Sequence, residues 1–304
     1  MSLRRVFIIK LNQLLHRAFT ALNKGQSPAQ VRANFHYARS NPTHNLKGLN
    51  EGCVILLERD EVQLAKEVAE EILATADSGR VFHPVAITAL RTAAVAFSRA
   101  GDNDRAVLVR EQVHVLELAE HGEASNEVAN ARHELAQQLD RVKEYPRAIE
   151  LERQVVAWWL AQGDTKRLAL AEHQLGVLLA RSGSYEEAKT AMSHALTLVN
   201  PDSKESQSVS EWLAYVAERT GDLEKALGLQ QPTVELATRL FGPDDPRTLK
   251  SMENLANIRT RLDQREEACA LLRSVLACRE RTQGDDHPDT VRTREKLERF
   301  SSDP

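Results

Sequence analysis

The 304-residue sequence is poor in the residues that break helices or cross-link chains, with 13 Gly, 10 Pro and 3 Cys. So little glycine and proline leaves little room for disordered linkers. Three cysteines are too few, and odd in number, for a disulfide framework, which favours a reducing compartment. No apolar run approaches the roughly 20 residues that a membrane-spanning helix needs. The longest candidate, residues 6–15, is interrupted by Lys10 and Asn12.

Acidic residues are missing from the first 50 positions, which carry eight basic ones. These are Arg4, Arg5, Lys10, Arg17, Lys24, Arg32, Arg39 and Lys47. The net charge of −4 therefore hides a basic segment on a body with 32 basic and 44 acidic residues, formally −12. Three interpretations stay open: a basic helical cap over residues 1–45, a mitochondrial presequence, and a surface that binds anionic lipid or nucleic acid.

Sequence motifs for catalysis and metal binding are also missing. There is no glycine-rich phosphate loop, nucleophile elbow or paired-carboxylate site. Residues 133–137, His-Glu-Leu-Ala-Gln, lack the second histidine of a zinc-protease motif. Cys269 and Cys278 lie nine residues apart on one predicted helix, so they point to opposite faces and cannot share a metal or a disulfide. We predict no cofactor, no metal and no enzymatic activity, with an enzyme of unrecognised type as the alternative.

What the sequence does contain is a repeat. An alanine recurs at intervals of about 40 residues, at Ala65, Ala106, Ala148, Ala188, Ala226 and Ala268, and this period indicates a helical-hairpin solenoid. The clearest copy, residues 242–272, reads as two amphipathic helices joined by a tight turn, with the small Ala256 facing the small Ala268. Cys53 precedes Ala65 by the same separation as Ala256 precedes Ala268, so we predict a packing role for this cysteine.

The apolar pattern predicts six helix pairs and a final capping helix. The pairs are 46–57 with 62–76, 85–100 with 104–119, 127–139 with 146–160, 166–181 with 185–198, 205–220 with 223–240 and 247–262 with 266–281. The repeat region is predicted to span residues 46–286, and a capping helix over 289–300 belongs to a segment of residues 287–304. The predicted fold class is all-α.

Two local features are also predicted from the pattern. The position five residues before the alanine should adopt positive φ at the helix end, and it is Gly101, Gly183 and Gly221 in three pairs. Lys143 and Asp263 hold this position in two others, and lysine tolerates the conformation less readily than aspartate. Pro232 lies inside a predicted second helix, so we expect a kink or break there.

The hairpins resemble the tetratricopeptide repeat family, most closely its roughly 42-residue, kinesin light chain-like branch. The residues that carry the resemblance are Gly284-Asp-Asp-His287-Pro288-Asp-Thr290, Gly242-Pro-Asp-Asp-Pro246-Arg-Thr248 and Asn254-Leu255-Ala256. The resemblance is strong over residues 242–293 and fades towards the N-terminus. It implies a right-handed α-solenoid of about six to seven hairpins, whose concave groove, lined by the first helix of each pair, binds peptides or partner proteins without catalysis.

An arginine stands seven residues before five of the six alanines, at Arg99, Arg141, Arg181, Arg219 and Arg261. On stacked hairpins this spacing predicts a column of guanidinium groups, each able to hold a carboxylate or phosphate in a bidentate manner. The alternative is that these cations only complement the dipole at the C-terminal ends of the first helices. Both interpretations stay open at the level of sequence.

Further groove candidates share a helical face with these arginines. Trp212, Tyr215 and Arg219 are spaced by three and four residues, and Leu213, Ala214 and Ala217 cover the packing side, so the aromatics are surplus to the core. The alternative is that Trp212 fills space against a neighbouring hairpin.

Asn254 and Asn257 match the asparagines that hold peptide backbone in the kinesin light chain-like pattern. His133 and His173 share another register, because each precedes its own alanine by fifteen positions. Axes of neighbouring helices lie roughly 8–10 Å apart, so one zinc ion bridging both histidines is unfavourable, and we predict polar lining.

Together these patterns predict a cytoplasmic, non-catalytic adaptor or scaffold that binds a protein or peptide, acidic or C-terminal, in its groove. The alternative is a regulatory protein that binds an anionic surface through its basic N-terminal segment, and a mitochondrial location is the alternative for the compartment. Nucleic acid is a disfavoured partner, because the basic segment offers few aromatic residues outside its apolar stripes.

Overall fold

A computed structural model describes residues 42–76 and 83–302, and this part of the chain forms thirteen α-helices and no strand. The all-α prediction is confirmed. The helices are α1 (Pro42–Glu58), α2 (Val62–Ala76), α3 (His83–Arg99), α4 (Asn103–His121), α5 (Asn126–Arg141), α6 (Tyr145–Gln162), α7 (Thr165–Ser182), α8 (Tyr185–Leu198), α9 (Lys204–Thr220), α10 (Leu223–Phe241), α11 (Pro246–Arg261), α12 (Arg265–Gln283) and α13 (Pro288–Ser302). They follow one another as six hairpins and a final single helix.

The chain divides into two compact units, Met1–Val155 and Val156–Pro304. In the first unit, helices adjacent in sequence pack on one another from α1 to α5, and the first helices α1 and α3 also meet directly. Its core is apolar, built around Leu46, Ile72, Leu90 and Phe97, each fully shielded from solvent. The second unit holds the hairpins α7–α8, α9–α10 and α11–α12, with α13 packed on α12.

Small residues let the two helices of each hairpin approach closely, as the repeat predicts. The six recurring alanines are completely buried, and so is Cys53. The Cys53 thiol donates to the Ala65 carbonyl at 3.6 Å, and burial raises its pKa to about 12, so Cys53 packs as a small apolar residue. In the fourth hairpin the position equivalent to Cys53, twelve residues before the repeat alanine, is a glycine, Gly176. A Cβ added there would lie 2.5 Å from Cγ of Met192.

The predicted positive φ occurs in the turn of every described hairpin. Gly101, Gly183 and Gly221 adopt φ of 78°, 91° and 87°. Lys143 and Asp263 adopt the same conformation at 64° and 62°, as does Asp60 at 58°. These six residues all stand five positions before their alanine, so the same backbone geometry recurs even where the residue is not glycine.

Polar side chains cap the N-terminal ends of α9 and α11. At α11 the Asp245 carboxylate accepts a hydrogen bond from the backbone N–H of Arg247 at 2.9 Å, and Pro246 occupies the first turn. The same carboxylate binds the Arg247 guanidinium, and these hydrogen bonds lower the pKa of Asp245 to about 2. At α9 the Ser203 hydroxyl accepts the equivalent hydrogen bond from the backbone N–H of Ser206.

The break expected at Pro232 is absent, because α10 continues as one helix from Leu223 to Phe241. Tertiary contacts outweigh the lost backbone hydrogen bond. Gln230 and Thr233 flank the proline and are almost fully buried. The Gln230 amide donates to the Ser251 carbonyl in α11 at 3.0 Å, which fixes this turn of α10 on its neighbour.

Element boundaries differ slightly from the predicted ones. The first described helix begins at Pro42, four residues before the predicted start at Leu46. The final helix extends to Ser302, two residues past the predicted Phe300. Most of the predicted basic cap, residues 1–45, lies outside the described residues, so that prediction is not tested. None of the described helices is both long and apolar enough to cross a membrane.

Candidate functional site

The first helices of the second unit, α7, α9 and α11, form a continuous surface that we name the first-helix face. Side chains join these helices in order. Nε2 of His173 on α7 lies 3.5 Å from the Ser208 hydroxyl on α9. The Gln207 amide on α9 donates to the Ser251 hydroxyl on α11 at 3.3 Å. The predicted lining residues of the second unit, from Arg181 to Asn257, are therefore on neighbouring helices.

An aromatic pair with a cation above it occupies this face. Trp212 and Tyr215 meet edge to face, with ring centroids 5.5 Å apart and planes at 83°. Cζ of Arg181 lies 5.4 Å from the centre of the Trp212 ring. Both rings are half-buried, while Leu213 on the opposite side of α9 is in the core. Each ring therefore has part of its surface packed against protein and part exposed to solvent. This lies between the two alternatives for Trp212, an exposed groove residue and a residue that fills space against a neighbouring hairpin.

The five arginines of the predicted column are all exposed, and their contacts differ. Arg99 donates to the Leu57 carbonyl at 2.8 Å, and Arg261 donates to the Glu218 carbonyl at 2.9 Å. Both contacts cap the C-terminal end of the preceding first helix, whose last carbonyls have no partner within the helix. Arg219 instead lies 5.8 Å from the centre of the Tyr185 ring.

Arg181 and Arg219 are thus the members of the column that meet aromatic rings, and both belong to the second unit. Arg141 is exposed at the end of α5 in the first unit. The structure places the column on equivalent helix ends within each unit, and a ligand-binding role for it remains a prediction.

Asn254 and Asn257 lie one turn apart on α11, half-buried. No side-chain hydrogen bond engages either amide within residues 42–76 and 83–302. Side-chain amides have donors and acceptors that match a peptide backbone, so these two can bind one without first breaking an internal bond.

His133 is engaged in an internal contact rather than in open lining. Its Nδ1 lies 2.8 Å from Oε1 of Glu152, a completely buried residue of α6, and its Nε2 lies 2.9 Å from the Gln137 amide. Burial alone would lower the pKa of His133, but the hydrogen bond to Glu152 and the negative charges of Glu152 and Glu134 outweigh it and raise the pKa. His133 therefore joins the two helices of the third hairpin.

His173 occupies the same register in the fourth hairpin and behaves in the opposite way. Burial lowers its pKa to about 4, and no acidic residue offsets this effect. His173 is neutral at pH 7, with Ser208 as its neighbour on α9. Polar lining, predicted for both histidines, describes His173 better than His133.

The register shared by the two histidines carries a polar network that sequence reasoning missed. Besides the histidines, this register holds Arg91, Glu211 and Glu253. Arg91 donates to Glu117 and Glu134 on other helices. Glu211 accepts a hydrogen bond from Ser251, and Glu253 accepts hydrogen bonds from Arg279 and Thr293. Arg91 with Glu117 and Glu253 with Arg279 are equivalent pairs with the charges exchanged. Numbering every charged residue by its distance from the repeat alanine would have revealed these pairs. Their members share that distance from one hairpin to the next, although the residue types differ.

Within the described ranges, no group of three or more His, Cys, Asp or Glu side chains is arranged to hold a metal ion. Cys269 and Cys278 are buried on α12, and neither forms a disulfide. The arrangement on the first-helix face is therefore one of aromatic rings, guanidinium groups and amides, which recognise ligands by stacking and hydrogen bonding.

Comparison with known proteins agrees with this geometry. One tetratricopeptide repeat profile matches residues 205–268 and a second matches residues 248–289. Residues 205–289 carry tetratricopeptide repeats. The family predicted from the motifs of residues 242–248 and 284–290 is confirmed, and these profiles cover the helices that hold Trp212, Tyr215, Asn254 and Asn257.

Solved structures show the same tetratricopeptide solenoid fold at low sequence identity. A Podosopora anserina protein, described as a kinesin light chain with nearly identical TPR-like repeats, is 22% identical to this chain, with a TM-score of 0.57 over 65% of this chain and 96% of that one. BtubC (BKLC) from P. vanneervenii is 16% identical, with a TM-score of 0.58 over 75% of this chain and 92% of that one. No curated protein sequence matches the chain.

A chain of the APC/C hetero-tetramer Cut9–Hcn1 is 15% identical, with a TM-score of 0.57 over 84% of this chain but only 42% of that longer one. At these identities the likeness establishes the fold alone. Proteins with tetratricopeptide repeats are generally non-catalytic interaction scaffolds.

Proposed function

We propose that this protein is a non-catalytic adaptor that binds a peptide segment of a partner protein on the first-helix face of its second unit. The observation that carries the proposal is the half-buried Trp212–Tyr215 pair with Arg181 above the Trp212 ring. Trp, Tyr and Arg dominate binding hot spots because they combine large apolar area with fixed hydrogen-bonding groups. Here all three meet on one surface outside the core.

The charges on this face favour an acidic segment or a C-terminal carboxylate. A guanidinium that stacks on a ring keeps N–H donors at its edge, and those donors match a carboxylate in a bidentate manner. Arg181 and Arg219 both contact rings in this unit. The amides of Asn254 and Asn257 on the neighbouring helix would bind the backbone of the same segment.

Affinity purification with quantitative mass spectrometry tests the charge requirement. The full chain is compared with a variant that carries Arg181→Glu and Arg219→Glu together. The matched control is Arg239→Glu with Arg273→Glu, two exposed arginines on the second helices α10 and α12. Both variants change the net charge equally, so a difference between them reports position rather than overall charge.

We expect recovery of partners to fall at least 10-fold in the variant with Arg181→Glu and Arg219→Glu, and to stay unchanged in the control variant. Trp212→Ala should cause a similar loss, since truncating a hot spot costs about 2 kcal/mol, which is about 30-fold in affinity. Trp158→Ala, at a half-buried tryptophan on the second helix α6, is its control. The proposal is contradicted if the double arginine variant and Trp212→Ala both recover as much partner protein as the wild type while their unfolding midpoints match those of the controls.

A second candidate function is suggested by the sequence charge. Residues 1–50 carry eight basic and no acidic residues, a distribution that attracts anionic surfaces. Removing residues 1–41 should abolish sedimentation with vesicles that contain phosphatidylserine, and added salt should weaken binding by the full chain. Retention of the truncated chain by the vesicles eliminates this candidate.

A further inference from the structure

A pocket of about 360 Å³ lies in the first unit, bordered by α1, α3 and residues from α4 and α5. Its walls are aliphatic, with Val54 and Leu57 from α1 and Val95 from α3. Val54 is 38% exposed, so it presents apolar surface to solvent at this pocket. Val54 and Val95 occupy, relative to their own alanines, the register that Tyr215 occupies in the second unit.

The charged floor of this pocket is satisfied internally. Glu134 accepts hydrogen bonds from Arg91 at 2.7 Å and from Arg110 at 2.5 Å, and Arg91 also donates to Glu117 at 2.9 Å. Two guanidinium groups thus face two carboxylates, and the group of four is neutral. A ligand would gain little from these charges, because each is already hydrogen-bonded.

The rim of the pocket carries Arg99, which unlike the arginines of the floor is not paired with a carboxylate of the described residues. Arg99 donates one N–H to the Leu57 carbonyl, and no carboxylate forms an ion pair with it in the part of the chain that the structure describes. The planar guanidinium has five N–H donors, so most of them remain available to solvent or a ligand. Glu58, also on the rim, is exposed and makes no ion pair with Arg99.

We propose that this pocket is a second recognition site, chemically distinct from the aromatic face of the second unit. It would take an aliphatic side chain, Leu, Ile or Val, of a partner peptide, with a neighbouring carboxylate of that peptide bound by Arg99. The walls offer aliphatic carbon and no aromatic ring, and the cations beneath them are engaged by Glu134 and Glu117. The volume lies within the range of natural ligand pockets and exceeds what one side chain fills, leaving room for the adjoining peptide.

This inference goes beyond the proposed function, because it uses none of the residues on the first-helix face of the second unit. With both sites the chain would recognise two different segments, of one partner or of two. Linking two sites raises the effective concentration of the second segment once the first is bound.

Selection from a random peptide library displayed on phage tests the pocket. Peptides are selected on the full chain and counter-selected on Val54→Trp, which fills the pocket from an exposed position without removing a core residue. We expect the enriched peptides to carry Leu, Ile or Val within two residues of Asp or Glu. Absence of enrichment, or enrichment of aromatic or basic sequences instead, overturns the proposal.

The selected peptide then serves as the probe in fluorescence titrations. Val115→Trp is the matched control, since it makes the same replacement at an exposed valine on α4 outside the pocket. Binding should weaken at least 10-fold in Val54→Trp and remain unchanged in Val115→Trp. Arg99→Gln should weaken the acidic peptide several-fold and leave its amide analogue, with Asn or Gln in place of the acid, unaffected. Equal binding by Val54→Trp and Val115→Trp places the peptide elsewhere and overturns the proposal.

The two sites fail independently in this design. A selected peptide whose binding is lost in Trp212→Ala but kept in Val54→Trp belongs to the second unit and contradicts the proposed pocket alone. A peptide with the opposite behaviour supports the pocket, whatever the outcome of the affinity purification with Arg181→Glu and Arg219→Glu.

Discussion

The third and fourth hairpins carry the same histidine register in two different surroundings. His133 in the third hairpin is hydrogen-bonded to Glu152, which stands four residues after Ala148. The position four residues after Ala188 in the fourth hairpin is Met192, which is completely buried. His173 therefore has no acidic partner, and burial lowers its pKa to about 4 while the pKa of His133 is raised. One residue on the facing helix decides whether the histidine is an ion-pair partner or a neutral lining group.

Two further differences separate these hairpins. The small-residue register is Ala136 in the third and Gly176 in the fourth, where Met192 fills the space that a Cβ would need. The turn residue is Lys143 at a φ of 64° in the third and Gly183 at 91° in the fourth. The two hairpins thus share a backbone conformation but differ in the side chains at equivalent positions. Replacing a residue of one hairpin by its counterpart in the other tests each difference.

The largest effect should come from acidification through His173. The unfolded chain takes up a proton at this histidine near pH 6.5 and the folded chain only near pH 4. Between these values the unfolded state binds more protons, so stability falls as the pH falls, by at most about 3 kcal/mol. Urea unfolding at pH 7.5 and 4.5 should show a smaller loss in His173→Gln than in the wild type.

The control for that experiment is His133→Gln. A raised pKa contributes stability below about pH 6.5 that is lost as the pH rises through the folded value, so this variant should lose more stability at pH 5.5 than at pH 8. Equal pH dependence in the two variants would contradict the contrast between the hairpins.

The next effect in size should follow from copying the fourth hairpin into the third. Glu152→Met removes the acid beside His133 while keeping the histidine buried, so the pKa of His133 should fall, because the group that raises it is gone and burial still lowers it. Imidazole resonances followed by NMR across a pH titration measure the change. Glu152→Gln, which keeps a hydrogen-bonding group but no charge, should give an intermediate value. A His133 pKa that stays at its wild-type value in Glu152→Met shows that another group holds it.

A smaller loss is expected from adding a methyl group at Gly176. Gly176→Ala gains about 1 kcal/mol of helix propensity but forces Met192 to move within a closed core, which costs about 1–3 kcal/mol. The net result should be destabilisation by about 1 kcal/mol in urea titrations. Combining it with Met192→Ala should remove the clash, so the methyl group should then cost less than it does with Met192 present. Stabilisation by Gly176→Ala alone would mean that the helices separate freely.

The smallest effect should appear in the turns. Lys143→Gly relieves about 1–2 kcal/mol of left-handed strain and costs about 0.5–1 kcal/mol of chain entropy, so a gain of roughly 0.5 kcal/mol is expected. Gly183→Ala introduces the same strain and should lose about 1 kcal/mol. Thermal unfolding of both variants checks the signs. A loss of stability in Lys143→Gly would show that the lysine side chain makes a stabilising contact that outweighs the strain.

Much of the architecture was predictable because it depends on spacing. The six alanines recur about every 40 residues and each turn residue stands five positions before its alanine. Helical geometry turns a fixed separation into a fixed face. The same logic grouped Trp212, Tyr215 and Arg219 on one face of a single helix. It could not anticipate that Arg99 and Arg261 bind backbone carbonyls, since such contacts depend on where the preceding helix ends.

Of the kink or break predicted at Pro232, the break does not occur, for a related reason. A propensity of about 3 kcal/mol describes an isolated helix, whereas α10 is held by buried side chains on both sides of the proline. The pairing of His133 with Glu152 was also missed, because 19 residues of sequence separate the two and nothing local relates them.

Periodicity along one chain was enough to set the repeat length, the all-α class, the hairpin boundaries within a few residues and the face on which each register lies. Which polar side chains are used up inside the protein, and which are left for a ligand, followed only from the packing of one helix on another. The reason is that this outcome rests on distances between helices, where a single carboxylate 2.8 Å away converts a candidate ligand group such as His133 into a structural one.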